Sequence, residues 1–202
     1  MTECTLKSIA PHYKGSLGYN VQMSADRNFF LVGLMGAGKT TIGRALARRL
    51  SLQFIDSDHE IEERTGVRIA TIFELEGESG FRTREEDVLS QLVQRQGVVL
   101  ATGGGAVLSA KTRAALRHHG TVIYLRACPD DLWQRTRHDR NRPLLQTADP
   151  RARLQELFNE RDPLYRDVAH IIVNTAHQSV QKLVTQLELE IEQQPVHEDS
   201  DR

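Results

Sequence analysis

One eight-residue segment, GLMGAGKT at positions 33–40, limits the folds that are open to this chain. The segment matches the pattern G-x-x-x-x-G-K-[S/T] at every required position. It lies between a short predicted strand at residues 28–32, apolar from Phe29 onward, and a stretch at residues 39–50 whose apolar residues recur every four positions. The pattern requires this strand, loop and helix context. The sequence therefore predicts an α/β domain with a phosphate-binding loop after its first strand.

Such a loop binds phosphate because its backbone N–H groups point inward and the following helix adds the positive end of its dipole. Lys39 then supplies a positive charge for the β- and γ-phosphates, and the Thr40 hydroxyl can bind Mg²⁺. A chance match in a glycine-rich turn is the alternative, and the strand and helix context argues against it. ATP or GTP is the expected ligand. The predicted nucleotide-binding residues of the loop are Gly36, Ala37, Gly38, Lys39, Thr40 and Thr41.

Short apolar runs alternate with longer segments of helical period through the rest of the chain. This alternation predicts a parallel sheet with helices on both faces. The predicted strands are residues 28–32, 53–56, 98–101, 121–125 and 169–173. At 202 residues, the chain has the length of little more than one domain.

Charge and apolar content exclude several classes of protein. The chain has 26 basic and 27 acidic residues, so it lacks the positive charge of a protein that coats nucleic acid. Its longest apolar runs are a few residues, far short of a bilayer span. Two cysteines, Cys4 and Cys128, and no apolar signal segment at the amino end indicate a reducing compartment. We expect a cytoplasmic protein with no membrane or nucleic-acid partner.

Two carboxylates, Asp56 and Asp58, lie at the end of the second predicted strand with Ser57 between them. If the strand continued, its period of two would place both carboxylates on one side. One could then orient Mg²⁺ while the other accepts a proton from an attacking hydroxyl. A helix N-cap with a solvated neighbour is the alternative. The third strand ends without the usual metal-binding aspartate, so Asp56 is the predicted magnesium ligand beside Thr40.

Three glycines, at positions 103–105, follow the third predicted strand. They allow the backbone to approach a ligand closely, although a plain turn is an alternative.

Three arginines stand beside distinctive neighbouring residues in the sequence and are candidates to bind carboxylate or phosphate: Arg82, Arg142 and Arg161. The arginine-rich stretch 135–142 could contact RNA, but it lacks interleaved aromatic residues, and a mobile flap over phosphates explains it better.

Six motifs in order resemble the shikimate kinase family over residues 28–191. They are GLMGAGKT, DSD at 56–58, FELEGESGFR at 73–82, VLATGGG at 99–105, RPLL at 142–145 and RDPLYRDVA at 161–169. The resemblance implies a three-layer α-β-α P-loop fold of the nucleoside-monophosphate-kinase type, with a five-stranded parallel sheet and a mobile lid at about 138–149. It also implies transfer of the γ-phosphoryl group of ATP to the 3-hydroxyl of shikimate in aromatic amino-acid biosynthesis, with one Mg²⁺ per active site.

The resemblance also implies roles for single residues. Asp58 would bind the shikimate hydroxyls and act as the base, with Lys39 and Arg142 as the other catalytic residues. Arg82 and Arg161 would clamp the carboxylate, and Gly104 would offer a backbone contact. Further expected contacts are Arg142 to the ATP phosphates, Gln178 to the adenine, Glu85 to the arginines, and Phe73 and Phe81 to the ring.

The predicted organisation is a flexible extension at 1–27, which the family pattern lacks, a kinase domain at 28–193 and a polar tail at 194–202, in a monomer. Two alternatives stay open. One is a kinase of another small polyol acid, such as gluconate. The other is a binding module that keeps ATP but has lost transfer. Retention of Asp58, Arg82 and Arg161 together speaks against the module, because a nucleotide switch needs no acceptor pocket.

Overall fold

The structure is a computed structural model that describes residues 27–139, 142–176 and 178–194. Its centre is a five-stranded sheet in which every neighbouring pair is parallel, with the order β2-β3-β1-β4-β5. The strands are β1 Phe29–Val32, β2 Gln53–Asp56, β3 Val98–Ala101, β4 Thr121–Arg126 and β5 Ile171–Asn174. The prediction of a three-layer P-loop fold with five parallel strands is confirmed.

Seven α-helices surround the sheet within the described residues. They are α1 Lys39–Leu50, α2 Ser57–Thr65, α3 Ile69–Leu92, α4 Ala110–His119, α5 Pro129–Thr136, α6 Pro150–Val168 and α7 Val180–Gln193. Two short 3₁₀ turns lie at Ala106–Leu108 and Pro143–Leu145. Helix α3 is interrupted at Gly77, whose φ of 70° is left-handed. Helix α1 packs against α7, whereas α6 packs against α4 and α5.

Burial explains why the central strands are continuous apolar runs. All four residues of β1 and all four of β3 are buried, because helices cover both faces of the sheet at these positions. The edge strand β5 alternates buried and exposed residues instead. It begins at Ile171, two residues later than the predicted start at residue 169, although His170 N already donates to Val122 O of β4 at 2.9 Å.

The connections leave β1 and β3 in opposite directions, toward β2 and β4 respectively. In open parallel sheets, ligands bind at such a switch point, beyond the carboxyl ends of the strands. Here the loop after β1 is the phosphate-binding loop, and the loop after β3 is the glycine run. Thr102 connects the two strands, because its amide N and its Oγ1 each donate to Leu31 O at 3.1 Å.

The predicted extension and tail fall almost entirely outside the described residues, which include only Arg27 of the first and Gln194 of the second. In the part of the chain that the structure describes, no helix combines the length and apolarity needed to cross a membrane.

Candidate active site

The loop at 33–40 adopts the curled conformation that its glycines allow. Gly36 and Gly38 have φ angles of 81° and 97°, a left-handed region that other residues rarely adopt. Gly38 also serves as the N-cap of α1, so the loop leads directly into the helix amino end. A Cβ on Gly36 would lie 2.7 Å from Thr136 Cγ2 at the end of α5. The loop is therefore curled, and it packs closely against the carboxyl end of α5.

Lys39 extends along this loop. Its Nζ donates to Gly33 O at 2.7 Å and to Leu34 O at 3.1 Å. Burial lowers the pKa of Lys39 to about 8, although the nearby Asp58 carboxylate favours the charged form. An anionic phosphate at this position would stabilise the ammonium charge.

The structure corrects the predicted arrangement of Asp56 and Asp58. Strand β2 ends at Asp56, and Ser57 begins α2, so the two carboxylates are not related by strand alternation. Asp56 is the N-cap of α2, and its Oδ1 accepts from Asp58 N at 3.1 Å. Both carboxylates nevertheless line the same cavities, because Asp58 lies in the first helical turn. The buried Ser57 Oγ accepts from Gly103 N at 2.9 Å, which attaches α2 to the glycine run.

Thr40 and Asp56 form a pair of oxygen groups suited to a hard cation. Thr40 Oγ1 donates to Asp56 Oδ2 at 2.8 Å, so the hydroxyl and carboxylate of the two predicted metal ligands are adjacent. Mg²⁺ prefers such oxygen donors and usually keeps several waters when it is bound with nucleotide phosphates. The donor set present therefore fits magnesium.

Two of the three glycines at 103–105 make room for charged side chains. A Cβ on Gly103 would lie 2.0 Å from Glu85 Oε1 and 2.9 Å from Asp58 Oδ1. A Cβ on Gly105 would lie 2.1 Å from the Arg82 Cζ. On Gly104 it would meet only loop atoms at 3.6 Å and beyond. The glycine run is therefore more than a plain turn, because it lets the backbone at Gly103 and Gly105 lie against the side chains of Glu85 and Arg82.

Arg82 and Arg161 converge on one cavity of about 580 Å³, which also includes Asp58. Arg82 is held by two carboxylates: Nη1 donates to Glu85 Oε2 at 2.6 Å and Nη2 to Glu78 Oε1 at 2.8 Å. Arg161 is only 2% exposed, and its Nη1 donates to Gly104 O at 3.3 Å. Within the described residues its buried Nε has no partner, so a donor remains available for a ligand.

Asp58 and Glu85 each have one buried oxygen with no hydrogen-bond partner among the described residues, Oδ1 and Oε1 respectively. Burial raises the pKa of both carboxyl groups above the usual range. The Asp56 carboxylate raises the pKa of Asp58 further, whereas Arg82 opposes the shift at Glu85. An unpartnered carboxylate oxygen can accept from a ligand hydroxyl.

Phe73 and Phe81 form an apolar wall of the same cavity. Their ring centroids are 4.8 Å apart, and both rings line the space beside Arg82. The combination of an apolar wall, two guanidinium groups and a carboxylate suits a small ring that carries a carboxylate and hydroxyls.

A second cavity of about 510 Å³ runs along the phosphate-binding loop. Its lining includes all six predicted loop residues, and also Gln178. Gln178 Nε2 donates to Asn174 O at 3.1 Å, and its Oε1 is buried without a partner among the described residues. Arg142 lines both cavities, and its Nε donates to Asp139 Oδ2 at 2.9 Å. Residues 140 and 141 of the predicted lid lie outside the described residues.

Arg135 is a candidate functional residue that the sequence interpretation missed. Instead of belonging to a flap with Arg142, it lies in α5 and donates to Gly36 O at 3.2 Å and to Thr175 O at 2.8 Å. It therefore joins the phosphate-binding loop to the segment after β5, at the rim of the nucleotide cavity. The one available signal was its position two residues beyond Trp133 on an amphipathic helix.

The fold and this site define a class: a P-loop kinase with adjacent nucleotide and acceptor cavities. The family model described as Shikimate kinase matches residues 35–192. Shikimate kinase from Nitrosospira multiformis is 61% identical over 174 residues, which cover 86% of this chain and 88% of that protein. The corresponding protein from Chromobacterium violaceum is 63% identical over 170 residues, covering 84% and 92%.

Among solved structures, shikimate kinase from Acinetobacter baumannii in complex with shikimate matches with a TM-score of 0.82 and 48% identity. The match covers 85% of this chain and 96% of that one. The chain belongs to the shikimate kinase family, as the six motifs predicted.

Proposed function

We propose that this chain transfers the γ-phosphoryl group of ATP to the 3-hydroxyl of shikimate, giving shikimate 3-phosphate and ADP. One observation supports the proposal most directly. Lys39, Asp58 and Arg142 line both the cavity along the phosphate-binding loop and the cavity that contains the two arginines. A terminal phosphate and an acceptor hydroxyl can therefore meet beside these three residues.

On the nucleotide side, the amides of residues 36–41 and the amino end of α1 would bind the phosphates. Lys39 would supply charge to the β- and γ-phosphates, Arg142 would neutralise the charge that develops on transfer, and Gln178 would contact the adenine. Thr40 and Asp56 would hold Mg²⁺, which when bound neutralises phosphate charge. Phosphoryl transfer requires little more than this positioning and charge neutralisation.

On the acceptor side, Arg82 and Arg161 would bind the carboxylate, because planar guanidinium groups suit it. Asp58 would accept hydrogen bonds from the ring hydroxyls and take the proton of the attacking one. Gly104 would offer a backbone contact to the same ligand. Glu85, which is 2% exposed and holds Arg82, would fix the orientation of that guanidinium.

A coupled assay of ADP formation tests the proposal. Purified protein with ATP and Mg²⁺ should release ADP only when shikimate is added, and the product should carry its phosphate on the 3-hydroxyl. Gluconate, the acceptor of the main alternative, should give no ADP. If the protein binds ATP but leaves shikimate unchanged, the result would support the non-catalytic binding module instead. If it phosphorylates gluconate in preference to shikimate, the result would support a kinase of another polyol acid.

We also propose that residues 28–193 form the complete catalytic domain, that it acts as a monomer in the cytoplasm, and that the segment 1–27 and the tail 194–202 are dispensable for transfer. A chain trimmed to residues 28–193 should keep the kcat and both KM values of the full chain. Light scattering should give the mass of one chain. Loss of activity on trimming would contradict the assignment of 28–193 as the complete catalytic domain. A dimeric mass would contradict the monomeric state.

A further inference from the structure

Tyr165 is a fully buried residue of α6 that lies one helical turn after Arg161. Residues four positions apart share a helix face, and here both reach the same backbone atom. Tyr165 Oη donates to Gly104 O at 2.5 Å, and Arg161 Nη1 donates to the same oxygen at 3.3 Å. The hydroxyl is therefore the closer of the two donors on Gly104.

The ring that carries this hydroxyl is fixed by its neighbours. It stacks on Tyr124 with centroids 4.9 Å apart and planes 28° apart. Tyr124 Oη in turn donates to Asp162 Oδ1 at 2.8 Å, and Arg126 Nε donates to the same carboxylate oxygen at 3.0 Å. Burial raises the pKa of Tyr165, so its hydroxyl keeps its proton across the neutral range. The Gly104 carbonyl thus faces a rigid donor.

Gly104 needs such a donor because the glycines around it have no side chains to restrain them. The peptide before it is held where Gly103 O accepts from Ala106 N at 3.2 Å. The peptide after it is held at Gly104 O. In the described parts of the chain, the amides of Gly104 and Gly105 make no hydrogen bond, and both residues line the cavity of Arg82 and Arg161.

We propose that Tyr165 is a positioning residue for the acceptor. Its hydroxyl fixes the backbone at Gly104 and leaves Arg161 free to bind a carboxylate. Without the hydroxyl, Gly104 O would keep only the longer bond from Arg161, and the guanidinium would be drawn toward the backbone. The inference rests on the proposed function, because it assigns the acceptor as a small carboxylated alcohol, with shikimate as the probe.

The substitution Tyr165→Phe tests this role, with Tyr124→Phe as the matched control. Each removes one buried hydroxyl from the stacked pair, but only the first removes a bond to Gly104. We expect Tyr165→Phe to raise the KM for shikimate about tenfold, the size of one lost hydrogen bond of about 1.4 kcal/mol. The KM for ATP should change less than about twofold. Tyr124→Phe keeps the ring that stacks on Tyr165, so it should lower the melting temperature while raising the KM for shikimate much less than Tyr165→Phe does.

Incorporation of 4-aminophenylalanine at position 165 returns an N–H donor and should restore the KM for shikimate. A wild-type KM in Tyr165→Phe, an equal rise in both KM values, or the same rise in Tyr124→Phe would overturn the role. Calorimetric titration with shikimate separates the two proposals. If the wild type binds shikimate but transfers no phosphate, the proposed function fails, while the ratio of dissociation constants still decides the role of Tyr165. If the wild type does not bind shikimate, both fail.

Discussion

The guanidinium of Arg82 occupies the space that a side chain on Gly105 would need. A Cβ built on Gly105 lies 2.1 Å from Arg82 Cζ and 2.2 Å from its Nη1. The φ of Gly105 is −99°, so other residues could adopt this backbone conformation. Glycine is therefore required here by the arginine and not by the backbone.

Gly105→Ala should displace Arg82 while leaving the fold intact, because the clashing atoms belong to the end of a flexible side chain. We expect kcat/KM for shikimate to fall about tenfold to a hundredfold, the effect of losing a charged hydrogen bond of about 1.5–3 kcal/mol. The KM for ATP should stay near the wild-type value. Steady-state kinetics with each substrate varied in turn measure both effects.

A double mutant shows whether Gly105 acts through Arg82. If it does, Gly105→Ala should add little to the defect of Arg82→Ala, because the group it displaces is already gone. Additive defects in the double variant would contradict the explanation.

The sequence predicted the elements of this site better than their geometry. The loop at 33–40 was predictable because its pattern has one known conformation, and β2 and β3 were predicted to the residue. The positions of Gly103 and Gly105 were predicted as places where the backbone approaches a ligand, not a protein side chain. The groups that approach these glycines, Glu85 and Arg82, belong to α3, which precedes the glycine run in the sequence. No local sequence pattern indicates that α3 packs against the run.

Asp58 lines both cavities, and its buried Oδ1 has no partner among the described residues, so this carboxylate can accept a proton. Asp58→Asn keeps the shape but removes the base, so kcat should fall by about 10²–10⁴-fold, the usual contribution of general base catalysis. Single-turnover measurements with saturating substrates test this expectation. The control is Asp130→Asn, an exposed aspartate paired with Arg151, which should keep wild-type turnover. Near-normal turnover in Asp58→Asn would exclude the base role.

Arg161 binds the acceptor carboxylate in the proposed site. Arg161→Lys keeps the charge but loses the planar fork, so the KM for shikimate should rise about tenfold and that for ATP should rise much less. Arg151→Lys provides the control, because Arg151 makes a surface ion pair with Asp130 and neither residue lines the cavity. Equal increases in both KM values would place Arg161 outside the acceptor site.

Arg135 should give the opposite pattern, because it joins Gly36 to Thr175 beside the nucleotide cavity. Arg135→Ala should raise the KM for ATP about tenfold and leave that for shikimate within about twofold, since charged hydrogen bonds contribute about 1.5–3 kcal/mol each. The neighbouring Arg137→Ala, which alters an exposed residue at the end of the same helix, should change neither value. A selective loss of shikimate binding in Arg135→Ala would contradict this assignment.

Lys39 makes nucleotide binding depend on pH in a direction that its pKa fixes. Burial lowers that pKa to about 8, so at pH 8.5 more than half of the free protein has a neutral Lys39. A bound phosphate favours the ammonium form and raises the pKa, so binding of ADP should take up a fraction of a proton at pH 8.5 and very little at pH 6.5. The affinity for ADP should accordingly weaken as the pH rises through 8.

Calorimetry with ADP and EDTA, in two buffers of different ionisation enthalpy, measures the proton uptake. Lys39→Arg stays protonated throughout, so it should show no uptake at either pH. Equal uptake in this variant would assign the proton to another group.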